Sequence, residues 1–238
     1  MQMINKILLK ETCLKYDIVL SDEQIQILDE FSKILVEWNK KFNLTAITSP
    51  DEVVYKHFVD SLLIFKAISL NLNASLMDVG AGAGFPSTPI AIVRHDISIT
   101  QLDSLKKRVT FLQKVNNCLK LRAKSFHARA EEFAKKAQYR EQFDYVTARA
   151  VASMAKLSEY CLPFAKVGGF FIAMKGPEYE PELEQAKRAI KVLGGSIEKI
   201  KTFKLPNSSV RTIILVKKIS QTPTKYPRTP GKISKSPI

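Results

Sequence analysis

The stretch Asp78-Val-Gly-Ala-Gly-Ala-Gly-Phe-Pro86 constrains this chain more than any other. The apolar Ser75-Leu76-Met77 before it and Pro89-Ile-Ala-Ile-Val-Arg94 after it predict a short buried strand that turns through alternating glycines into a helix. Glycine lets the backbone turn sharply and lets a ligand lie against bare N–H groups, so such a turn suits a nucleotide. The glycines stand at 80, 82 and 84, in G-x-G-x-G spacing. Dinucleotide sites use G-x-G-x-x-G, whose third glycine permits close helix–strand packing beside a pyrophosphate. Phe85 and Pro86 take that place here, which favours a ligand with a nucleoside and no phosphates. A glycine-rich turn with no ligand would use the same residues, and the loop by itself leaves that open.

From Ala74 onward, apolar strand-like runs alternate with helical ones, the pattern of a parallel sheet wrapped by helices. Strands are expected at 75–79, 97–102, 124–127, 144–148, 169–174, 197–203 and 212–216, and helices at 89–94, 104–119, 130–138, 153–162 and 181–193. Only Lys204-Leu-Pro-Asn-Ser-Ser-Val210 separates the last two strands, so they should pair as an antiparallel hairpin. The expected fold class is α/β, a seven-stranded, mostly parallel sheet with helices on both faces. This layout resembles the Rossmann-like class I methyltransferases. In that setting an acidic residue before the glycines, here Asp78, is typical of loops that hold S-adenosyl-L-methionine.

Residues 1–72 read as a helical N-terminal extension packed on a core of residues 73–219, with a basic C-terminal tail at 220–238. Ser21 is a good N-cap with Gln24 three residues on, and Ile25, Leu28, Phe31, Leu35, Trp38 and Phe42 recur at helical spacing. Ser49-Pro50-Asp51-Glu52 starts a second helix carrying Val54, Phe58, Leu62 and Phe65, with 40–48 as the connection. Within it, His57 and Asp60 could cooperate in chemistry, although such a pair more often makes a structural hydrogen bond. The tail carries Lys225, Arg228, Lys232 and Lys235 with no acidic residue, and reads either as a disordered end or as a basic arm that touches RNA or docks on the body.

A formal net charge of +14 implies a polyanionic partner, because lysines and arginines that meet phosphates release counterions. Without a strongly amphipathic basic helix, nucleic acid is favoured over a membrane surface. No apolar run approaches the roughly 18 residues of a spanning helix, and the start shows no secretory pattern, so a cytoplasmic protein is expected. A monomer is expected as well, although the sequence does not reveal the oligomeric state. Cys13, Cys118 and Cys161 are odd in number and form no C-x-x-C, which argues against a disulfide framework and against a metal site. All three read as small buried hydrophobes.

Ligands of an open parallel sheet bind beyond the carboxyl ends of its strands. The first strand end gives Gly80 to Phe85. The second gives Asp103, about twenty residues beyond the glycines, where a carboxylate can accept from both ribose hydroxyls. The third gives Arg129-Ala130-Glu131, suited to an adenine edge, and the fourth gives Thr147-Ala-Arg149-Ala. That fourth end has neither the Asn/Asp-Pro-Pro-aromatic tetrapeptide common in exocyclic amino methylation nor the cysteine that pyrimidine C5 methylation needs. A target with a free lone pair, such as guanine N7, requires only alignment and exclusion of water. Lys106, Lys107, Arg108, Arg129, Arg149 and Lys175 are expected to converge on one rim, with Lys107, Arg108, Arg129 and Lys175 as the candidate RNA contacts. No general base is assigned.

Asp78-Val-Gly-Ala-Gly-Ala-Gly-Phe-Pro86, Leu102-Asp-Ser-Leu-Lys-Lys-Arg-Val109, Arg129-Ala-Glu131, Val146-Thr-Ala-Arg-Ala150 and Tyr226-Pro-Arg-Thr-Pro-Gly231 resemble the bacterial ribosomal RNA small-subunit methyltransferase G family, also called glucose-inhibited division protein B. Trp38-Asn39, Asn43-Leu-Thr-Ala-Ile47 and His57-Phe-Val-Asp-Ser-Leu62 resemble its N-terminal region. The resemblance implies an enzyme that uses S-adenosyl-L-methionine to methylate guanine N7 in 16S ribosomal RNA, with cofactor contacts at Gly80, Phe85, Asp103, Ala130, Glu131 and Arg149. One departure is Ser87, where many members carry a further glycine. A ribosome-associated RNA-binding protein with a vestigial pocket and a methyltransferase with a non-RNA substrate are the alternatives.

Overall fold

Successive residues of a strand point to opposite faces, so a run such as Tyr145-Val-Thr-Ala148 must be covered on both sides. The computed structural model, which describes residues 3–238, meets that demand with two helical layers; Met1 and Gln2 of the expected extension lie outside the described residues. Strands β1 (Ser75–Val79), β2 (Ser98–Asp103), β3 (Ala123–His127), β4 (Phe143–Arg149), β5 (Ala165–Lys175), β6 (Gly195–Lys204) and β7 (Val210–Lys218) form one sheet in the order β3-β2-β1-β4-β5-β7-β6. Neighbours pair in parallel except around β7, which runs antiparallel between β5 and β6. Leu76, Tyr145, Ile172, Met174, Ile213 and Leu215 belong to one core, and Met77, Val146, Ala148, Phe171, Ala173, Ile214 and Val216 to the other. The α/β class, the mostly parallel sheet and its closing hairpin are those expected from the sequence.

The first core is covered by α1 (Lys6–Leu14), α2 (Asp22–Phe42), α3 (Pro50–Val53), a π-helical turn at Val54–Val59, α4 (Asp60–Leu62), α5 (Ile64–Ala67), α6 (Ser87–Val93) and α7 (Lys106–Cys118). The second lies under α8 (Ala130–Phe133), α9 (Met154–Cys161) and α10 (Glu180–Val192). In α2 the Ser21–Gln24 capping box closes in both directions, and Ile25, Leu28, Phe31 and Leu35 are buried along one stripe. The helix runs through Phe42, so the connection begins at Asn43, a left-handed C-cap, and not at Lys40. Asn39 then staples that connection, its amide donating to Thr45 O and accepting from Thr45 N–H, both at 2.9 Å.

The second N-terminal helix is not one α-helix. Through its π turn, the Asp60 N–H bonds to Tyr55 O and His57 O, passing over Lys56 O, which would be its α-helical partner. Helix α7 begins at Lys106 and not at Ser104, because Asp103 Oδ1 takes the Leu105 N–H at 2.8 Å. Helix α8 stops at Phe133, well short of residue 138, as the chain turns to stack Tyr139 on Phe133 with ring centroids 3.9 Å apart. Cys13 and Cys161 are buried as expected, and burial pushes the Cys13 thiol up to about 12. Cys118 is exposed, which corrects its reading as a buried hydrophobe: it is the last residue of α7, one turn beyond Val115, the last buried apolar residue of that helix.

Residues 220–238, with α11 (Pro230–Lys235), follow the body through side-chain clamps. Arg228 Nη2 pairs with Glu159 Oε2 at 2.7 Å, while its N–H and Nε donate to Glu159 Oε1. Arg140 donates to Thr222 O and Tyr226 O, and the fully buried Lys218 ammonium donates to Glu141, Leu162 O and Thr222 Oγ1. Ile233 is buried.

Candidate active site

Beyond β1 the chain passes Gly80, Gly82 and Gly84 with φ of +73°, +57° and +89°. At Gly84 a Cβ would meet Thr88 Oγ1 at 2.5 Å, so space as well as angle demands glycine there. The loop is tied to β2: the Gly80 and Ala81 N–H groups donate to Leu102 O, and Gly82 N–H donates to Asp103 Oδ2 at 2.9 Å. Beneath it, the fully buried Asp78 carboxylate accepts from Ser87 N–H at 3.3 Å and from Thr147 Oγ1 at 3.2 Å. Burial raises its pKa to about 6, opposed by those hydrogen bonds. Ser87, the departure noted above, is itself buried, and its hydroxyl accepts from Gln101 Nε2 at 3.0 Å.

Two cavities open beside the loop, at the carboxyl ends of the strands. The smaller, about 190 Å³, is lined by Leu102, Asp103, Arg129, Ala130, Glu131, Val151 and Tyr160 among others. Each Asp103 oxygen takes one backbone donor, Leu105 N–H on Oδ1 and Gly82 N–H on Oδ2, which leaves acceptor capacity on both. Arg108 Nη1 stands 3.5 Å from Asp103 Oδ2. Glu131 is buried, with Oε1 3.9 Å from Arg129 Nη1. Two carboxylates and apolar walls in a cavity of nucleoside scale are suited to ribose hydroxyls beside a flat base.

The larger cavity, about 530 Å³, is lined by Thr45, Lys56, His57, Asp60, Phe85, Arg108, Arg149, Lys175, Glu182 and Arg211 among others. Its five cations face two carboxylates, so it favours an anionic or electron-rich ligand. Gly80 alone among the described residues lines both cavities. Arg149 Nη1 donates to Asp60 Oδ2 at 2.7 Å and to Lys56 O at 2.9 Å, and Arg149 Nη2 lies 3.2 Å from His57 Nδ1. Nδ1 thus stands 3.2 Å from both the Arg149 Nη2 donor and the Lys56 carbonyl acceptor, while Nε2 is within hydrogen-bond distance of Thr45 Oγ1 at 3.0 Å. Burial, and next the Arg149 charge, push the His57 pKa down to about 3, so the ring is neutral. Asp60 Oδ1 stands 3.3 Å from Arg211 Nε, an ion-pair distance without hydrogen-bond geometry.

Of the expected cofactor residues, Gly80, Asp103, Ala130 and Glu131 line the smaller cavity, while Phe85 and Arg149 line the larger with Gly80. Of the expected RNA contacts, Arg108 and Lys175 line the larger cavity and Arg129 the smaller, while Lys107 is exposed outside both. Four cations of the anticipated rim are paired within the protein: Arg108 and Arg129 loosely as above, Arg149 by hydrogen bonds, and Lys175, whose ammonium donates to Glu182 Oε2 at 2.6 Å and Ala152 O at 3.0 Å. Sequence reasoning did not single out Thr45, Lys56, Arg211, Val151 or Tyr160. Arg211 had no signal, since its approach depends on β7 entering the sheet beside β5. His57 and Asp60, paired with each other from the sequence, meet through Arg149, which contacts both.

Residues 24–211 match the family described as rRNA small subunit methyltransferase G. A ribosomal RNA small subunit methyltransferase G from Alkaliphilus metalliredigens (strain QYMF) is 47% identical over 238 residues, covering 99% of this chain and 100% of the relative. Its counterpart from Clostridium beijerinckii (strain ATCC 51743 / NCIMB 8052) is 48% identical over 221 residues, covering 92% of each. Among solved structures, M. jannaschii TYW2 in complex with AdoMet superposes with a TM-score of 0.52 at 17% identity, covering 67% of this chain and 77% of that one. A predicted O-methyltransferase from Agrobacterium tumefaciens gives 0.55 at 18% identity, covering 68% and 81%. These two likenesses concern the fold alone, which is that of the Rossmann-like class I methyltransferases. On its sequence match over most of its length, the chain belongs to the rRNA small subunit methyltransferase G family.

Proposed function

We propose that this protein transfers a methyl group from S-adenosyl-L-methionine to N7 of a guanine in 16S ribosomal RNA. The observation that carries the reading is the pair of cavities meeting at Gly80, one with carboxylate acceptors and one with a cationic lining. Family membership supports it, as do the relatives' names and the AdoMet held by a protein of the same fold. The residues present suit the cofactor. Asp103 and Glu131 would accept from its ribose hydroxyls, Ala130 would border its adenine, and Gly80, Phe85 and Arg149 would hold its amino-acid end. Bound there, S-adenosyl-L-methionine supplies an electrophilic methyl on a sulfonium.

The chain's own task is then positioning. Guanine N7 has a free lone pair, so no proton need leave before transfer. The neutral His57 suits this role: both ring nitrogens are engaged, one by Arg149 and one by Thr45, so the ring holds the wall of the cavity in place and takes no proton. Arg108 and Arg129, more exposed than Arg149 and Lys175, are placed to meet RNA phosphates, with Lys107 extending that surface and Lys175 bordering the base. The formal net charge of +14 favours such a partner. We assign residues 1–72 as an extension that walls the target-base cavity, 73–219 as the catalytic core, and 220–238 as a tail clamped to it. The substrate is 16S ribosomal RNA or the small subunit, the enzyme acts as a monomer, and its place is the cytoplasm. Among the described residues no helix is long and apolar enough to cross a membrane.

Incubation with labelled S-adenosyl-L-methionine and ribosomal RNA or small subunits, followed by chain cleavage at 7-methylguanine, tests the reading. A single new cleavage position is expected. Failure to label any form of the RNA would refute it, and RNA binding without cofactor binding would identify a binding protein instead.

A further inference from the structure

The cofactor reading requires one molecule to reach from Asp103 and Glu131 in the smaller cavity to Phe85 and Arg149 in the larger. Its path crosses Gly80. Val151 already occupies that crossing: a Cβ placed on Gly80 would meet Val151 Cγ2 at 2.6 Å and Cγ1 at 3.4 Å, so the isopropyl group rests on the bare Cα. Ala150 lines the larger cavity and Val151 the smaller, which makes the short segment between β4 and α9 the partition between them.

The segment is fastened at its ends and free in its middle. Before it, Arg149 is bound to Asp60 and Lys56 O. After it, Lys175 Nζ donates to Ala152 O at 3.0 Å and to Glu182 Oε2, which also accepts the Met154 N–H at 3.0 Å. Between these fastenings Ala150 sits at φ +56°, a left-handed angle unusual for a residue with a Cβ, and the Val151 side chain is 39% exposed. In the middle of the segment Val151 rests on Gly80.

We propose that residues 150 and 151 form a strap across the cofactor path, and that Val151 is the latch that sets how fast the cofactor enters. The strap must lift off Gly80 before a ligand can span both cavities, so the association rate follows the fraction of molecules with the strap raised. This rests on the cofactor assignment made above. It adds an apolar residue at the border of the smaller cavity, whose side chain has no hydrogen bond to offer ribose, amino acid or RNA.

Rapid mixing with labelled S-adenosyl-L-methionine, sampled by filtration, measures the association rate for the full-length protein and for Val151→Ala and Val151→Phe. Trimming the two methyl groups that rest on Gly80 should raise the rate by about tenfold, and the larger side chain should lower it by a similar factor. Val151 is partly exposed, so neither change threatens the fold; thermal melts of both variants within a few degrees of wild type would verify this. Rates within twofold of wild type in both variants, with wild type binding the cofactor, overturn the latch and leave the cofactor assignment standing. Absence of cofactor binding by wild type in calorimetry overturns both.

Discussion

The imidazole of His57 lies parallel to the ring of Phe85, with centroids 4.2 Å apart and planes 15° apart. The Arg149 guanidinium carbon sits 5.1 Å from the same ring centroid. A helix of the N-terminal extension and the last apolar residue of the glycine loop therefore share one contact, and β4 adds its arginine to it. Phe85→Leu should cost about 1–1.5 kcal/mol in urea unfolding, and Phe85→Ala about 3–4 kcal/mol because it also leaves a cavity. Both should weaken S-adenosyl-L-methionine binding measured by calorimetry. Unchanged affinity in the alanine variant would remove Phe85 from the site.

Asp60 holds two arginines from different strands, Arg149 of β4 and Arg211 of β7. Breaking a buried pair from one side leaves charge uncompensated, so Asp60→Asn should lower stability by about 3 kcal/mol and reduce methyl transfer even where the protein remains folded. Denaturant titration and the labelling assay on the same preparation separate the two effects. Full activity would mean that the arginines need no such partner.

Gly82 has room for a Cβ, its nearest neighbour being Gly80 O at 3.7 Å, yet its φ is +57°. Gly82→Val should therefore fold with a penalty of about 1–2 kcal/mol for a β-branched residue in the left-handed region. Its isopropyl group would intrude on the larger cavity, which Gly82 lines, and cofactor binding should be lost. Calorimetry showing wild-type affinity would contradict the cofactor path.

Asp78 and His57 oppose each other with pH. Asp78, raised from 3.8 to about 6, imposes a penalty that is absent below its ordinary value, grows across that window and is complete above it. His57, lowered from 6.5 to about 3, has the reverse sign: its contribution is complete above 6.5 and lost as the pH falls toward 3. Asp78→Asn removes the first effect alone. The variant should exceed wild type in stability by about 1–3 kcal/mol above pH ~6, a difference that shrinks to nothing by pH ~4. Urea unfolding across that range reads it directly, and a constant difference would mean that Asp78 does not titrate there.

Removing Arg228 leaves Glu159, which is 1% exposed, without its bidentate partner. Arg228→Ala should cost about 3 kcal/mol and lower the melting temperature by roughly 6–12 °C. Activity assayed well below the melt should be retained, because neither residue lines either cavity.

The sheet was legible because its strands are short apolar runs between turn signals, and because 204–210 is too short for a crossover helix. The glycine loop and Asp103 were legible because the chemistry is local: a strand, a turn and a carboxylate at the next strand end. The lining of the larger cavity was not. Arg211 reaches it from 62 positions beyond Arg149, brought there by the insertion of β7 beside β5, and no local pattern encodes that approach. Pairing was equally hidden, for a lysine such as Lys175 reads as a free cation until Glu182 is seen beside it. The α8 boundary failed because helical periodicity continued past Phe133 while the Tyr139 ring needed the chain to turn back.

The widened turn at 54–59 carries a consequence for how this site tolerates change in the gene. The acceptor it leaves open, the carbonyl of residue 56, belongs to the main chain, and Arg149 binds it whatever side chain stands there. Any residue at position 56 other than proline, which would break the helical turn, would therefore leave that anchor intact. Deleting one residue from the turn would restore regular winding, give the carbonyl back to the helix and turn His57 relative to Asp60. Position 56 should thus accept substitution where the segment around it rejects a change of length.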